Sequence, residues 1–130
     1  MDVVASLLCP PEMVEMGLER EAELCAAHGI EFLSFQVPDH SVPESMRDTL
    51  AFALRLAGLL ACEKSVLIHC RAGIGRSVVI AACVLALNAV DPEEAFERIG
   101  AARGFPDVPE TDEQREWVLR FAERVPGLPR

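Results

Sequence analysis

The stretch Val66-Leu67-Ile68-His69-Cys70-Arg71-Ala72-Gly73-Ile74-Gly75-Arg76-Ser77 decides the fold. Its apolar beginning reads as a short strand from Ser65 to His69. Arg71 to Gly75 form a glycine-bearing loop. The run from Arg76 to about Asn88 is too long for a strand and too apolar all round for a surface helix, so it reads as a buried helix. A strand, a tight loop and a helix start turn successive backbone N–H groups inward, making a nest for an anion. The helix beginning near Gly75 adds free N–H groups and the positive end of its dipole. Gly73 and Gly75 permit close backbone approach that side chains would obstruct. A tetrahedral dianion such as phosphate suits this cradle, so Arg71, Ala72, Gly73, Ile74, Gly75 and Arg76 are the expected anion-binding residues.

Cys70 stands at the mouth of the nest. Helix N-termini and nearby cations lower cysteine pKa values, and the thiolate is the reactive form. The position therefore predicts a nucleophile. Arg76, six residues on, can fold back over the loop, and its planar guanidinium can grip two phosphate oxygens at once. Ser77 supplies a hydroxyl that can hydrogen-bond the sulfur. The structural alternative is a core cysteine at a strand end beside a surface arginine; the register of strand, histidine, two glycines, arginine and serine favours chemistry.

Working outward, Asp2 to Leu8 reads as a buried strand ending at Cys9-Pro10-Pro11, and a helix is expected over Glu12 to His28 with Gly29 terminating it. Ile30 to Val37 is a second strand, stopped by Pro38. In Met46 to Ala61 the residues Met46, Leu50, Ala53, Leu54, Ala57, Leu60 and Ala61 suggest one apolar helical face. Asp91-Pro92-Glu93-Glu94 has the form of an N-cap, a proline at the first helical position and carboxylates at the positive helix end. After a loop over Gly104 to Pro109, a last helix starts near Thr111 and buries Trp117, Val118 and Phe121. Alternating strands and helices with short connections predict a single α/β domain over 1–130, with a short, mainly parallel central sheet flanked by helices.

The chain has 130 residues, half of them apolar and a quarter charged, with a formal net charge of -9. That length allows one compact domain. The acidic balance argues against a nucleic-acid partner, which needs a basic face. The longest apolar stretch, Val78 to Val90, is short of the roughly 20 residues of a membrane span. No segment has the form of a signal peptide. The five cysteines, Cys9, Cys25, Cys62, Cys70 and Cys83, show neither metal-ligand spacing nor a disulfide framework, so a reduced, cytoplasmic setting with no metal is expected.

The run His69-Cys70, five residues, Arg76-Ser77 resembles the signature of protein tyrosine and dual-specificity phosphatases, in a small prokaryotic-like form, and the likeness includes Gly73 and Gly75. The resemblance implies a phosphocysteine intermediate, its hydrolysis by water, no metal or other cofactor, and phosphorylated protein or small phosphate ester substrates. It implies that His69 orders the loop. It also implies a proline-aspartate loop upstream, which Gln36-Val37-Pro38-Asp39-His40-Ser41-Val42-Pro43 matches, making Asp39 the general acid; the alternatives are a plain turn aspartate and Asp107 as the acid. Val108-Pro109-Glu110-Thr111-Asp112-Glu113-Gln114 resembles the family segment whose glutamine positions the hydrolytic water. Thr111-x-x-Gln114 is equally a capping box, so Gln114 has two readings. Arg103 is either a cation beside the pocket or an exposed helix-end arginine.

The resemblance departs at the front. Related phosphatases carry further strands and a substrate-depth loop before the strand corresponding to Asp2-Leu8, and this chain opens straight into it. Three readings are open: the form is naturally minimal, the true start lies upstream, or a partner subunit covers the exposed sheet edge. Since an uncovered edge invites association, a homodimer or strand exchange is an expectation. The loop contains no lysine, which lowers the expectation of an inositol phosphate or lipid substrate. Two other classes stay open. One is a thiol redox enzyme such as an arsenate reductase, which needs Cys62 or Cys83 to approach Cys70. The other is a phosphate-binding module without turnover, which needs neither nucleophile nor acid.

Overall fold

The structure, a computed structural model, describes residues 1–72 and 74–125. Three parallel strands, β1 (Val3–Ser6), β2 (Glu31–Ser34) and β3 (Val66–His69), form one sheet in the order β2-β1-β3. Among the described residues six helices accompany the sheet: α1 (Pro10–Glu15), α2 (Glu21–Ala27), α3 (Met46–Ala61), α4 (Arg76–Leu87), α5 (Pro92–Arg103) and α6 (Asp112–Arg124). The α/β architecture with a parallel sheet is the one the alternating pattern predicts. β1 is central and buried along its whole length, as expected of a strand in a parallel sheet covered on both faces. Its register aligns Val3 with Val66 and Ser6 with His69 on one side, and Val3 with Glu31 on the other.

α4 is the hub. It packs against α3, α5 and α6, and only Ala81 and Leu85 along it are half-buried rather than buried. The buried-helix reading of Arg76 to Asn88 therefore holds. Trp117, Val118 and Phe121 of α6 are buried as expected, with Trp117 stacked on Phe121 at 5.9 Å between ring centroids. Asp91 caps α5 by accepting from the Glu93 N–H, with Pro92 at the first helical position.

Two local expectations are corrected. The segment from Glu12 to His28 is not one helix but α1 and α2. Gly17 has φ +69, the left-handed conformation that ends helices. The Gly17 and Leu18 N–H groups turn back to the Val14 and Met13 carbonyls at 3.1 and 2.7 Å. The same closure recurs at Gly29, φ +70, which ends α2 where the sequence placed the stop. In α3 the buried stripe is Thr49, Phe52, Ala53 and Leu56, while Leu54 and Leu60 are 44% and 47% exposed. Both faces of this helix carry leucine, and Phe52 decides between them by stacking on Phe35 at 4.6 Å. Among the described residues no helix is long and apolar enough to cross a membrane.

Candidate active site

Ligand sites in open parallel sheets form beyond the carboxyl ends of the strands, and here all three strand ends contribute. β1 leads through Leu7, Leu8 and Cys9 into α1, which carries Glu12. β2 leads into the loop that carries Asp39. β3 leads into Cys70 and the loop before Arg76. Short cross-links hold these exits in register: the Leu7 N–H donates to the His69 carbonyl at 2.9 Å, and the Val37 N–H to the Leu7 carbonyl at 3.1 Å. The outcome is a cavity of about 290 Å³ lined by Asp39, His40, Cys70, Arg71, Ala72, Gly75, Arg76 and Glu110.

Cys70 is buried, at 7% exposure, and its thiol donates to Ser77 Oγ at 3.4 Å. Ser77 thus sits where the sequence reading put it, beside the sulfur. Arg76 is 2% exposed, and its guanidinium is held on several sides. Nη1 and Nη2 donate to Glu12 Oε1 and Oε2, each at 2.8 Å, and Nη1 also donates to the Val37 carbonyl at 2.8 Å. Nη2 stands 3.1 Å from Asp39 Oδ1. Burial opposes the Arg76 charge, but the hydrogen bonds and charge of Glu12 outweigh it and hold the guanidinium above its ordinary pKa. The Arg76 hydrogen bond in turn holds the Glu12 carboxyl below the usual carboxylate range, against the opposing effect of its own burial.

Asp39 lies in a turn closed by the Ser41 N–H on the Pro38 carbonyl at 3.1 Å. Asp107 is exposed and is absent from the cavity lining; the carboxylate that its segment does bring to the cavity is Glu110. Gln114 is fully buried and engaged at both ends. Its Oε1 accepts from the Thr111 N–H at 3.1 Å, completing the capping box, and its Nε2 donates to the Ser41 carbonyl at 3.0 Å. It therefore braces the Asp39 loop against the start of α6. A Cβ on Gly75 would stand 3.0 Å from both Gln114 Nε2 and Glu110 Oε1, so the absent side chain at Gly75 is what lets the loop after Cys70 approach α6.

His69 lies away from this cavity, with Nε2 2.8 Å from Glu21 Oε2, out of line for a hydrogen bond. Its nearest ionic partner is thus α2 and not the loop. Within the expected anion-binding loop, Arg71 is exposed and paired with Glu15 at 2.9 Å. The Ala72 carbonyl accepts from Arg103 Nη2 at 3.5 Å, Ile74 packs against the core, and Gly73 lies outside the described residues. Cys83 is completely buried on α4, and burial pushes its thiol far up. Cys62 is exposed at the end of α3. Among the described residues no group of three His, Cys, Asp or Glu side chains is arranged to hold a metal ion.

Three residues of the site escaped the sequence reading. Glu12 carries a signal only for a helix start, because it lies three residues after Cys9 and accepts the Cys9 N–H at 3.1 Å. Its pairing with Arg76 spans 64 positions and has no local signature. His40 and Glu110 meet across 70 positions, Nδ1 to Oε1, at 2.9 Å.

Comparison with known proteins places this geometry. Residues 11–89 match the family model described as polymorphic toxin system, DSP-PTPase phosphatase. Protein 197R of invertebrate iridescent virus 6, named as a tyrosine phosphatase, is 37% identical over 71 residues, covering 51% of this chain and 26% of that protein. The chain spans about a quarter to a half of the length of the curated relatives it matches. Among solved structures, Tk-PTP in its active form is 28% identical with a TM-score of 0.82, covering 95% of this chain and 80% of that one. Kinase-associated phosphatase with a serine in place of its catalytic cysteine superposes with a TM-score of 0.87 at 21% identity, over 99% of this chain and 72% of that one.

Proposed function

The chain belongs to the DSP-PTPase phosphatase family, and from that premise we propose that it is a metal-independent phosphatase hydrolysing phosphate monoesters, phosphotyrosine or dual-specificity protein substrates, through a phosphocysteine at Cys70. One observation carries the reading: the Cys70 thiol, the Arg76 guanidinium and the Asp39 carboxylate share one cavity, with Asp39 resting on the Arg76 donor that faces it.

That contact suggests an order of events. An entering phosphate dianion competes with Asp39 for Arg76 Nη2, while Glu12 keeps its bidentate hold on the guanidinium. Asp39 is thereby released to face the ester oxygen of the bound substrate. The Cys70 thiolate attacks phosphorus, the bond to the ester oxygen breaks, and Asp39 gives that oxygen its proton. In the second step water attacks phosphorus, Asp39 takes the water proton, and the S–P bond breaks with its electron pair returning to sulfur. The Ser77 hydroxyl, 3.4 Å from Sγ, then donates to the thiolate. The backbone N–H groups of the loop and Arg76 carry the equatorial oxygens throughout, which makes positioning and electrostatic stabilisation the protein's main contribution.

The test is hydrolysis of a generic aryl phosphate in the presence of EDTA by the native chain, Cys70→Ser and Asp39→Asn. Native turnover that survives EDTA and disappears in Cys70→Ser is the expected outcome. Asp39→Asn should retain a trace of activity and lose the native pH profile. A folded native chain that binds phosphate without hydrolysing any ester would sink the phosphatase reading and leave the binding module. Phosphotyrosine and phosphoserine peptides offered in parallel then separate the substrate classes.

A further inference from the structure

We infer that Glu110, acting through His40, is a positioning residue that clamps the Asp39 loop over the catalytic cavity; this rests on the reading of Asp39 as proton donor. His40 is one of three non-glycine residues with positive φ among the described residues, at φ 58. Such a conformation is unfavourable for a non-glycine residue and persists only where the surroundings impose it. The imposed geometry has a visible result. It sets the imidazole between two carboxylates, so that Nδ1 donates to Glu110 Oε1 at 2.9 Å, while Nε2 stands 3.6 Å from Asp39 Oδ2. The His40 N–H is meanwhile given to Asp39 Oδ1 at 3.0 Å. One residue thus touches the acid through its backbone and the opposite wall of the cavity through its ring.

The opposite wall is a fixed point. Glu110 immediately precedes Thr111, which caps α6, and α6 is packed on α4. Gln114, from the same helix start, ties the Ser41 carbonyl. The loop is therefore held by two links that straddle His40-Ser41. The Gln114 link is buried and joins backbone, and so fixes where the loop runs. The Glu110 link joins side chains at the cavity mouth, and both of its members line that cavity. Its role becomes important when phosphate displaces Asp39 from Arg76. At that moment the Asp39 carboxyl loses its contact with Arg76 while the Val37 and Ser41 carbonyls stay tied to Arg76 and Gln114. His40–Glu110 is then the link between side chains that keeps the Asp39 carboxyl near the ester oxygen. Asp39 and Arg76 face His40 from the floor and Glu110 faces it from the wall; Arg71 lies across the cavity.

Proton donation matters for a poor leaving group and hardly at all for a good one. The clamp is therefore read by comparing phenyl phosphate with 4-nitrophenyl phosphate. Glu110→Ala should lower kcat/KM on phenyl phosphate, which reports the leaving-group step alone, by about tenfold or more, a fraction of the full effect of a general acid. It should change kcat/KM on 4-nitrophenyl phosphate by less than about threefold. Glu110→Gln, which keeps an acceptor oxygen for Nδ1–H, should recover most of the loss. In an Asp39→Asn background Glu110→Ala should cost nothing further, because residues acting as a unit are not additive. Hydrogen exchange supplies a readout independent of turnover: the amides of residues 39–42 should exchange faster in Glu110→Ala while those of α4 do not change. Equal slowing of both substrates, or unchanged exchange in the 39–42 loop, overturns the clamp. If the native chain hydrolyses neither ester, the phosphatase reading has failed by itself, and loop exchange alone decides whether the clamp exists.

Discussion

Arg76 is a buried guanidinium held through both of its Nη atoms: three hydrogen bonds go to Glu12 and Val37 and a further contact to Asp39. A side chain so held reaches the phosphate without first being ordered, so Glu12 is as much a part of the site as the arginine it fixes. Removing one partner of a buried ion pair leaves an uncompensated charge and costs about 3–5 kcal/mol. Glu12→Gln keeps an acceptor but loses the charge. It should lower kcat/KM by about 100-fold, the usual penalty for a misplaced catalytic group, and destabilise the fold. The pH dependence has a definite sign. The Arg76 hydrogen bond depresses the Glu12 pKa below its ordinary value of 4.5. A carboxylate depressed in the folded state contributes stability that is present above its unfolded value and is lost as pH falls through the folded one. Denaturant midpoints measured from pH 6 downward should therefore fall below about pH 4.5 in the native chain, and the fall should be shallower in Glu12→Gln. Identical slopes for the two proteins would show that the pair contributes nothing to acid stability.

At the scale of elements, what could be read from the sequence and what could not divide by range of interaction. β3, its loop and α4 were legible because one continuous stretch writes strand, nest and buried helix in order, and Cys70, Arg76 and Ser77 come with it. Asp39 was legible as the carboxylate on a proline-bounded loop. The break between α1 and α2 was not, because the apolar pattern runs through it and only the φ of +69 at Gly17 reveals the stop. Nor was the buried face of α3, where leucines on both sides made two faces equally plausible until Phe52 met Phe35. Gly17 offers a direct test, since open space surrounds the position where a Cβ would stand. Gly17→Ala should cost only the backbone strain of a left-handed alanine, about 1 kcal/mol. That corresponds to a fall in Tm of about 3–5 °C for a domain of this size, read by thermal unfolding. Because α1 carries Glu12, the same variant should also raise KM modestly. A Tm unchanged within error would mean that the two helices are not separated by this residue.

For the whole molecule, charge and substrate are at odds. The formal net charge is -9 and the proposed substrate is a dianion, so the long-range field repels what the site must capture. The cavity does not reverse that field. Arg76 is matched by Glu12 and Arg71 by Glu15, while Asp39 and Glu110 add two more carboxylates to the lining. Capture must then rest on contacts made only at close range, namely the N–H groups of the loop and the Arg76 donor that Asp39 gives up. Ionic strength separates these two components. The Debye length falls from about 30 Å at 0.01 M salt to about 8 Å at 0.15 M, which removes the repulsion across the molecule and leaves contacts inside the cavity nearly intact. Raising NaCl over that range should therefore increase kcat/KM for an aryl phosphate by a few-fold, whereas a site with a steering positive field loses rate under the same change. Alkylation of Cys70 by iodoacetamide, which is neutral, should not respond to salt, while alkylation by the iodoacetate anion should accelerate as the ester hydrolysis does. A kcat/KM that drops steeply with salt would mean that Arg71 and Arg103 set the potential at the mouth despite the carboxylates around them, and would assign to those two arginines the approach of the substrate as well as the shape of the loop.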